Sequence, residues 1–594
     1  MRRALIGAPV LTLLSVQIGF FICVAGRGLD FTDESYYLLS YLHWRDSTAT
    51  ATFFGAYFDL PFRLLGGDVG AMRVFGMLLL VAAGGFFAWR AFVFGRDAAE
   101  PSPWPYIVGG MAGTLFYYSY VTTLRAPSYN LLVLCCLLVA SGLLLVLTEG
   151  RGSRARLGWV AFGYGLLLGA CALTKATSAL AMVVCHLVFL LCFARVRRVP
   201  EWMALALAGV GVNVLALQLA QPHWLDALRE GVALTIALDG RYATIPFATL
   251  WDAVVRGGTR LLPALALAAL LFAVVVRRWG RAHRAVLSSL VVLLVAGIML
   301  TIQEQGYGKS WWVLLAFGTA LLWLAERLCR ETPMPRWSDV RGVAGLSVLL
   351  FALPICYSIG TNGSMPAHTQ MAAVFAVVAL MLPLRRLHTL GLIHGSAVMV
   401  ALALLCLPML VSQLRSLNDP NFTYRLRTGL LDQQLPVTLG LDGQVLRLDA
   451  ATRDGLASLT QQMAAAGYRA GEPILDATGD GPGLVYALGG RPLGVAWMIG
   501  GYPGSERVAA RVLDNVPVAE LRRAWVLSAD DNPRALRALP QWLRERTGGP
   551  GPQRAGSVLL VAQYRWDGLP PEPVTVTLWK PSVPTSADPE PPPK

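Results

Sequence analysis

Charge is what this sequence has least of. Of its 594 residues only 14% are Asp, Glu, Lys or Arg, against 55% apolar, where an ordinary soluble protein carries about 25% charged residues. That deficit excludes a soluble enzyme of this length. Lysine is scarcer still: the 50 basic residues include only Lys175, Lys309, Lys580 and Lys594. Cysteine is missing beyond Cys406, so no disulfide framework is expected in the C-terminal third. No arrangement of His, Cys and Asp has the spacing of a structural zinc site. The formal net charge of +14 would point to nucleic acid only if the cations shared a soluble surface. They do not, and no nucleic-acid partner is expected.

What fills the sequence instead is apolar runs near the ~20 residues that cross a bilayer. About thirteen are read, at 5–26, 70–94, 104–121, 129–148, 157–173, 177–194, 202–220, 261–276, 284–302, 310–326, 341–359, 366–384 and 389–411. Each should be a helix, because hydrocarbon offers the backbone no partners but its own. Arginines gather on alternate connections, from Arg2-Arg3 and Arg96 through Arg151/Arg154/Arg156 to Arg385/Arg386, while the short opposite connections hold only Arg125, Lys175 and Lys309. The positive-inside rule then makes the N-terminus cytoplasmic, and an odd span count puts the C-terminus outside. The first segment lacks a small-residue cleavage site before Asp30 and is read as a span, not a signal peptide.

The expected fold is therefore a polytopic α-helical membrane protein with a C-terminal external α/β domain. Residues 1–411 form the membrane domain, with long external loops at 27–69 and 221–260. Within them, 33–45 and 224–238 read as short helices along the membrane surface. From 412 to 580 helical patterns (452–466, 504–513, 533–545) alternate with β-type runs (473–477, 523–528, 556–563, 573–579), which reads as a small external α/β domain. Residues 581–594 form a Pro-rich tail expected to be disordered. The run Gly479-Asp480-Gly481-Pro482-Gly483 lacks nucleotide-loop spacing and reads as a turn plus helix start.

Chemistry gathers on the external face. In Asp30-Phe31-Thr32-Asp33-Glu34-Ser35-Tyr36-Tyr37, a helix over 33–45 would put Asp33, Tyr36, Tyr37, Ser40, Tyr41 and Trp44 on one face and Leu38, Leu39 and Leu42 on the other. An acid above a row of rings suits a sugar; Thr32 as N-cap with two acids in the first turn is equally good helix chemistry. Arg125, Lys175 and Lys309 stand where the positive-inside rule disfavours cations, either to meet a lipid phosphate or to snorkel to headgroups. The turns holding Glu304, Tyr307 and Lys309, and Asn362, are polar and Gly-rich. In the second long loop His223, Asp239, Arg241 and Tyr242 are further candidates. The adjacent carboxylates Asp33 and Glu34 are also a candidate site for a divalent cation of unspecified kind.

Three pieces together resemble a known pattern: an Asp-Glu with nearby tyrosines after the first span, Arg125-Ala126-Pro127-Ser128-Tyr129-Asn130 before the fourth, and Leu173-Thr174-Lys175-Ala176-Thr177 after the fifth. The chain resembles, over about residues 1–411, the GT-C superfamily of membrane glycosyltransferases, of the protein-mannosyltransferase and aminoarabinose-transferase type. Asp33-Glu34 matches that pattern, but Ser35-Tyr36-Tyr37 stands where an Asp-Glu-x-Arg-Tyr version has its arginine. The resemblance implies an inverting transfer from a polyprenyl-phosphate-linked sugar donor to an envelope glycan, glycolipid or protein acceptor, at the outer face of a bacterial inner membrane. It implies Asp33 as general base and Glu34 as orienting group or metal ligand. Asp30 would be an alternate, Tyr36 and Tyr37 would line the substrate site, and Arg125, Lys175 and Lys309 would contact phosphate. An oligosaccharide ligase or polymerase, or a transporter of an envelope precursor, are the competing readings.

Overall fold

The computed structural model describes residues 7–94, 102–119, 125–193, 199–238, scattered positions between 270 and 323, 337–361, 365–548, 551–561 and 572–581. Helices follow the apolar runs closely: α1 Ala8–Val24, α2 Asp33–His43, α3 Phe54–Leu64, α4 Val69–Val93, α5 Trp104–Thr114, α6 Tyr129–Glu149, α7 Arg154–Phe193, α8 Val199–Ala220 and α9 Trp224–Leu238. After the sparsely described segment come α10 Trp337–Ser358, α11 Met365–Met371, α12 Val374–Thr389 and α13 Gly395–Arg415. Among the described residues five helices are long and apolar enough to cross a membrane: α4, α6, α7, most of α8, and α13. α1 and the C-terminal part of α10 are shorter apolar helices.

Two expected spans change shape, and two others prove to be one folded stretch. The run 104–121 gives an α-helix only to Thr114 and then a 3-10 turn, Leu115–Ser119. The run 366–384 divides into α11 and α12. α7 is one 40-residue helical stretch with non-helical backbone at Lys175. Tyr164 Oη and His186 Nδ1, eleven residues either side of the break, lie 2.8 Å apart. The two expected spans, 157–173 and 177–194, are thus the arms of a hairpin folded at Lys175. The expected spans 261–276, 284–302 and 310–326 fall largely outside the described residues.

Beyond α13 the chain forms a hairpin, β1 Leu435–Leu439 with β2 Gln444–Leu448, and then α14 Ala450–Ala465. A five-stranded sheet follows, built of β3 Pro473–Asp476, β4 Arg491–Pro492, β5 Trp525–Ser528, β6 Gln553–Val561 and β7 Pro573–Lys580. Its order is β4-β3-β5-β7-β6, with β3 parallel to β4 and β5, and β7 antiparallel to both neighbours. Helices α15 Pro482–Ala487, α16 Ser505–Asp514, α17 Val518–Arg522 and α18 Leu539–Thr547 join the strands.

This region is hydrogen-bonded to the helical one. Arg447 of β2 pairs with the exit of α1, donating its N–H to the Gly26 carbonyl at 2.9 Å and accepting from Gly28 at 2.8 Å. Thr48 N donates to Gly494 O at 2.8 Å. The glycine-rich run is a turn and helix start that lands on the first acidic segment. Gly479 takes φ +83°, and a Cβ on Gly483 would fall 2.5 Å from the Phe31 backbone, whose carbonyl accepts the Gly483 N–H at 2.7 Å. Only glycine permits an approach that close.

Candidate active site

The segment between α1 and α2 organises itself before it offers anything to a ligand. Asp30, 1% exposed, accepts from Thr32 N at 3.1 Å and Thr32 Oγ1 at 2.7 Å on one oxygen, and from Glu34 N at 3.1 Å on the other. Glu34 reaches back toward Asp30 N at 3.4 Å. This is the reciprocal logic of a capping box, with Asp30 in the part expected of Thr32, whose hydroxyl makes no cap bond. Burial, reinforced by the charge of Asp33 and opposed by Arg425, Thr32 and the Glu34 amide, pushes the Asp30 carboxyl up to about 6.

Glu34 has a different task from the one expected. Arg73 of α4 grips it in a two-pronged ion pair, Nε to Oε1 at 2.7 Å and Nη2 to Oε2 at 2.6 Å. Ala126 N donates to Oε1 at 3.1 Å. Side-chain exposure is 1% for Glu34 and 2% for Arg73. With both oxygens taken, no lone pair is left for an acceptor or a metal. Asp33 meanwhile faces other partners, so the adjacent carboxylates do not converge and the residues present do not fit the expected cation. Among the described residues no group of three or more His, Cys, Asp or Glu side chains has the geometry to hold one.

Asp33 is the carboxylate of this segment that stays open, at 25% side-chain exposure. Tyr424 Oη donates to its Oδ2 at 2.7 Å, and Arg425 Nη1 stands 3.0 Å from the same oxygen. Arg425 also donates to Thr32 Oγ1 at 2.5 Å and sits over the Tyr424 ring, 4.6 Å from its centroid. Its φ of +55° is the one left-handed backbone among the described non-glycine residues, a strained conformation of the sort that clusters at functional sites. A pocket of about 100 Å³ opens beside this group, lined by Asp30, Thr32 and Arg425 from below and by Thr478, Asp480 and Asn532 at the C-terminal ends of β3 and β5.

The expected two-faced surface helix is corrected here. Leu38, Leu39 and Tyr41 of α2 are 0–1% exposed and Tyr37 is 3% exposed, so both faces are covered. The cover is α3 on one side, through Phe54, Phe58 and Phe62 around Tyr41, and the C-terminal region on the other. The aromatic row is an interior cluster in which Tyr36 alone stays half-buried, 6.2 Å from Trp497 and 5.6 Å from Tyr37. Tyr37 and Phe54 both meet Tyr129 at the start of α6. Burial first, then the nearby Asp33 charge and the Tyr129, Tyr117 and Tyr424 hydroxyls, drive the Tyr37 phenol well above its ordinary value. Burial holds Tyr36 up at about 12. Both stay protonated and offer O–H groups.

The cations divide. Lys175, at the fold of the α7 hairpin, donates from Nζ to the Tyr357 carbonyl at 2.7 Å, 5.5 Å from that ring's centroid. Its neighbour Leu173 accepts from Phe53 N at 2.9 Å, which ties the break to the start of α3 and so to the aromatic cluster. Arg125 is interior, 1% exposed. Its Nη1 donates to Val24 O at 2.7 Å, while Nε and Nη2 have no partner among the described residues. It stands by the Glu34–Arg73 pair, not by the open side of Asp33. Glu304, Tyr307, Lys309 and Asn362 lie outside the described residues, as do Asp239, Arg241 and Tyr242.

Sequence reasoning passed over Arg73, Tyr424, Arg425 and Trp497. Arg73 had a signal: it lies inside an apolar span, at the end away from the arginine-rich connection, where an ionisable residue calls for a partner. Tyr424-Arg425 and Trp497 reach the site only through the docking of the C-terminal region, which no local pattern announces.

No protein-family model and no characterised protein sequence matches the chain. Among solved structures, the chain is similar to ArnT from Cupriavidus metallidurans bound to undecaprenyl phosphate, at 13% identity and a TM-score of 0.42, over 96% of this chain and 97% of that one. The apo form of the same ArnT gives 14% identity and a TM-score of 0.38 over the same shares. At these values the likeness assigns no residue and no reaction to this chain.

Proposed function

We propose that this protein is an inverting membrane glycosyltransferase. It would move a sugar from a polyprenyl-phosphate-linked donor to an envelope acceptor (a glycan, glycolipid or protein) at the outer face of a bacterial inner membrane. The observation that carries this reading is the division of labour in one acidic segment. Asp30 and Glu34 are consumed by backbone amides and Arg73, whereas Asp33 stays open beside a basic and phenolic clamp. The residue pattern around Asp33-Glu34, Arg125 and Lys175 that resembles GT-C enzymes supports it.

In this reading an acceptor hydroxyl gives its proton to the Asp33 carboxylate as its oxygen bonds to the anomeric carbon from the face opposite the phosphate. The bond from that carbon to the phosphate oxygen breaks, and polyprenyl phosphate leaves with the electron pair. A phosphate leaving group needs cations more than it needs a proton donor. Arg425 is placed to serve twice: paired with Asp33 before the donor arrives, and shared with the donor phosphate afterwards, which leaves Asp33 free to accept a proton. Lys175, with Nζ at the hairpin fold, is the second cation. The C-terminal sheet forms the roof.

The test is transfer from a polyprenyl-phosphate sugar to an envelope extract by the purified protein in bilayers. Asp33→Asn should lower transfer by at least about a hundredfold with little change in melting temperature; full transfer by that variant ends the proposal. The break at Lys175 favours one rival, since interrupted helices also mark transport sites. Solute flux through sealed vesicles without acceptor would select transport, and transfer of preassembled chains, not single sugars, would select a ligase or polymerase.

A further inference from the structure

Helix α3 is apolar on two sides. Phe54, Phe58 and Phe62, four residues apart, form the side buried against Tyr41. Leu60 and Leu64, also four apart, lie on the opposite side and are 64% and 77% exposed. At the edge between the two sides Arg63 pairs with Asp59, which Arg45 also holds at 3.1 Å. A helix that is apolar all round is one covered all round. Within this chain α3 is covered on one side.

The placement of α3 says what its open side meets. Leu65-Gly66-Gly67-Asp68 joins it directly to α4, a candidate span that begins at Val69. From the middle of α3, Tyr57 Oη donates to Asn213 Oδ1 at 2.8 Å. Asn213 lies seven residues inside the Ala220 end of α8, another candidate span, or about 10 Å along the axis at 1.5 Å per residue. α3 is therefore set among the ends of the spans, not above them.

The β1–β2 hairpin rests on the same spot. Gln444 Nε2 donates to Gly66 O at 2.7 Å, and a Cβ on Gly67 would fall 3.0 Å from Asp442 Oδ2. Beyond α13, three large apolar side chains among the described residues are more than half exposed: Leu441, Val445 and Leu559. Two of the three sit on this hairpin, Leu441 in its turn and Val445 at the start of β2. On β2, Val445 and Arg447 share the exposed face while Leu446 and Leu448 are buried, so a cation stands beside the apolar tip. Exposed apolar side chains edged by arginines, at the level where a span leaves the bilayer, are the composition of an interfacial contact.

We propose that the turn of the β1–β2 hairpin and the open side of α3 form one membrane-contact surface. Its partner is the lipid leaflet around the Asp33 end of the spans, with Leu60, Leu64, Leu441 and Val445 among the upper acyl carbons and Arg63 and Arg447 at the headgroups. The C-terminal region is then seated on the bilayer at one edge, through the same hairpin whose Arg447 backbone pairs with the exit of α1. This surface rests on the membrane spans and not on the glycosyltransferase reading.

The experiment places benzoylphenylalanine, whose excited ketone inserts into aliphatic C–H bonds, at single positions of the full chain in nanodiscs of phosphatidylethanolamine and phosphatidylglycerol. Leu64, Leu441 and Val445 are the test positions. Leu78, on the exposed side of α4, is the positive reference, and Gln541, exposed on α18, the negative one. After illumination, mass spectrometry should find the chain plus one phospholipid at all three test positions. The yield should be within about threefold of that at Leu78 and at least about tenfold above that at Gln541. All three side chains are exposed, so melting temperature should not change. A lipid adduct at Leu78 with none at Leu441 and Val445 overturns the proposal, whether or not Leu64 is labelled. Chain-to-chain adducts at the test positions would give the face to a second copy and overturn it as well.

Discussion

Helix α4 carries an arginine near each end, Arg73 and Arg90, about 25 Å apart at 1.5 Å per residue, and each pairs with a glutamate from another element. At the Arg73 end all the guanidinium donors are used. Besides Glu34, they reach Ala25 O at 2.6 Å, Arg27 O at 3.2 Å and Gly28 O at 2.8 Å. At the Arg90 end a single bond joins Nη2 to Glu149 of α6 at 2.7 Å, and Arg90 Nε and Glu149 Oε1 have no partner among the described residues. Exposure follows: 1–2% at the first pair, 10–11% at the second. One end is a keystone that fixes the exit of α1 and the start of α2; the other is an ordinary clasp between two helices. The face that was built rigid is the face that holds Asp33.

The comparison breaks most sharply where structure and chemistry sit on adjacent residues. Asp33→Asn should lower transfer by about 10²–10⁴-fold, the usual contribution of a general base, with little change in melting temperature. Glu34→Gln should do the opposite in kind. It strands Arg73 in the interior, at a cost of about 3–5 kcal/mol, and is read as a fall in melting temperature and yield. If Glu34→Gln melts normally yet loses transfer, the keystone assignment is wrong and Glu34 returns to the chemistry.

Much of the frame was legible because apolar runs and arginine placement are written locally. The start of α4 at Val69 and of α6 at Tyr129, and the two arms of α7, fall within a few residues of the expected spans. The strands β3, β5, β6 and β7 fall on the four β-type runs expected at 473–477, 523–528, 556–563 and 573–579. The segment 30–37 was found, but not how its three acids divide. That division depends on Arg73, Ala126 and Arg425, which lie about 40, 90 and 390 residues away along the chain, and no spacing rule reaches so far. The surface-helix reading of α2 failed for the same reason. A pattern of six polar or aromatic residues on one face describes a wet helix equally well as one roofed by a second region, and only Trp497 and Gly483 decide.

pH sharpens the contrast between the open acid and the buried ones. Asp476, at the end of β3, accepts from Thr478 and Gly481, and burial is the main reason its carboxyl is pushed up to about 6. A carboxyl whose folded value exceeds its unfolded one, near 4, stabilises the fold fully below about pH 4 and loses that contribution as pH rises through 6. At about 1.4 kcal/mol per unit, Asp476 alone should withdraw about 2 kcal/mol between pH 4 and 7. Melting temperature should therefore fall from pH 5 to pH 7.5, and Asp476→Asn should shrink that fall. An unchanged pH slope in the variant would remove Asp476 as its source.

The smallest effect belongs to the far end of α4, and it is the control for the whole comparison. Arg90 and Glu149 lie at helix ends, where long side chains snorkel toward water and headgroups. Removing one partner there gives up a single bond and leaves a charge close to a helix end. Glu149→Gln should cost about 1–3 kcal/mol, less than the loss at Arg73 because a single bond is given up, and the joint change Arg90→Met with Glu149→Met should be close to neutral. The corresponding joint change at Arg73 and Glu34 should remain damaging, because the carbonyls of Ala25, Arg27 and Gly28 would lose the donors that hold the α1 exit in place. Equal melting shifts for the two double variants would mean that Arg73 is only another clasp, and that the rigidity beneath Asp33 has another source.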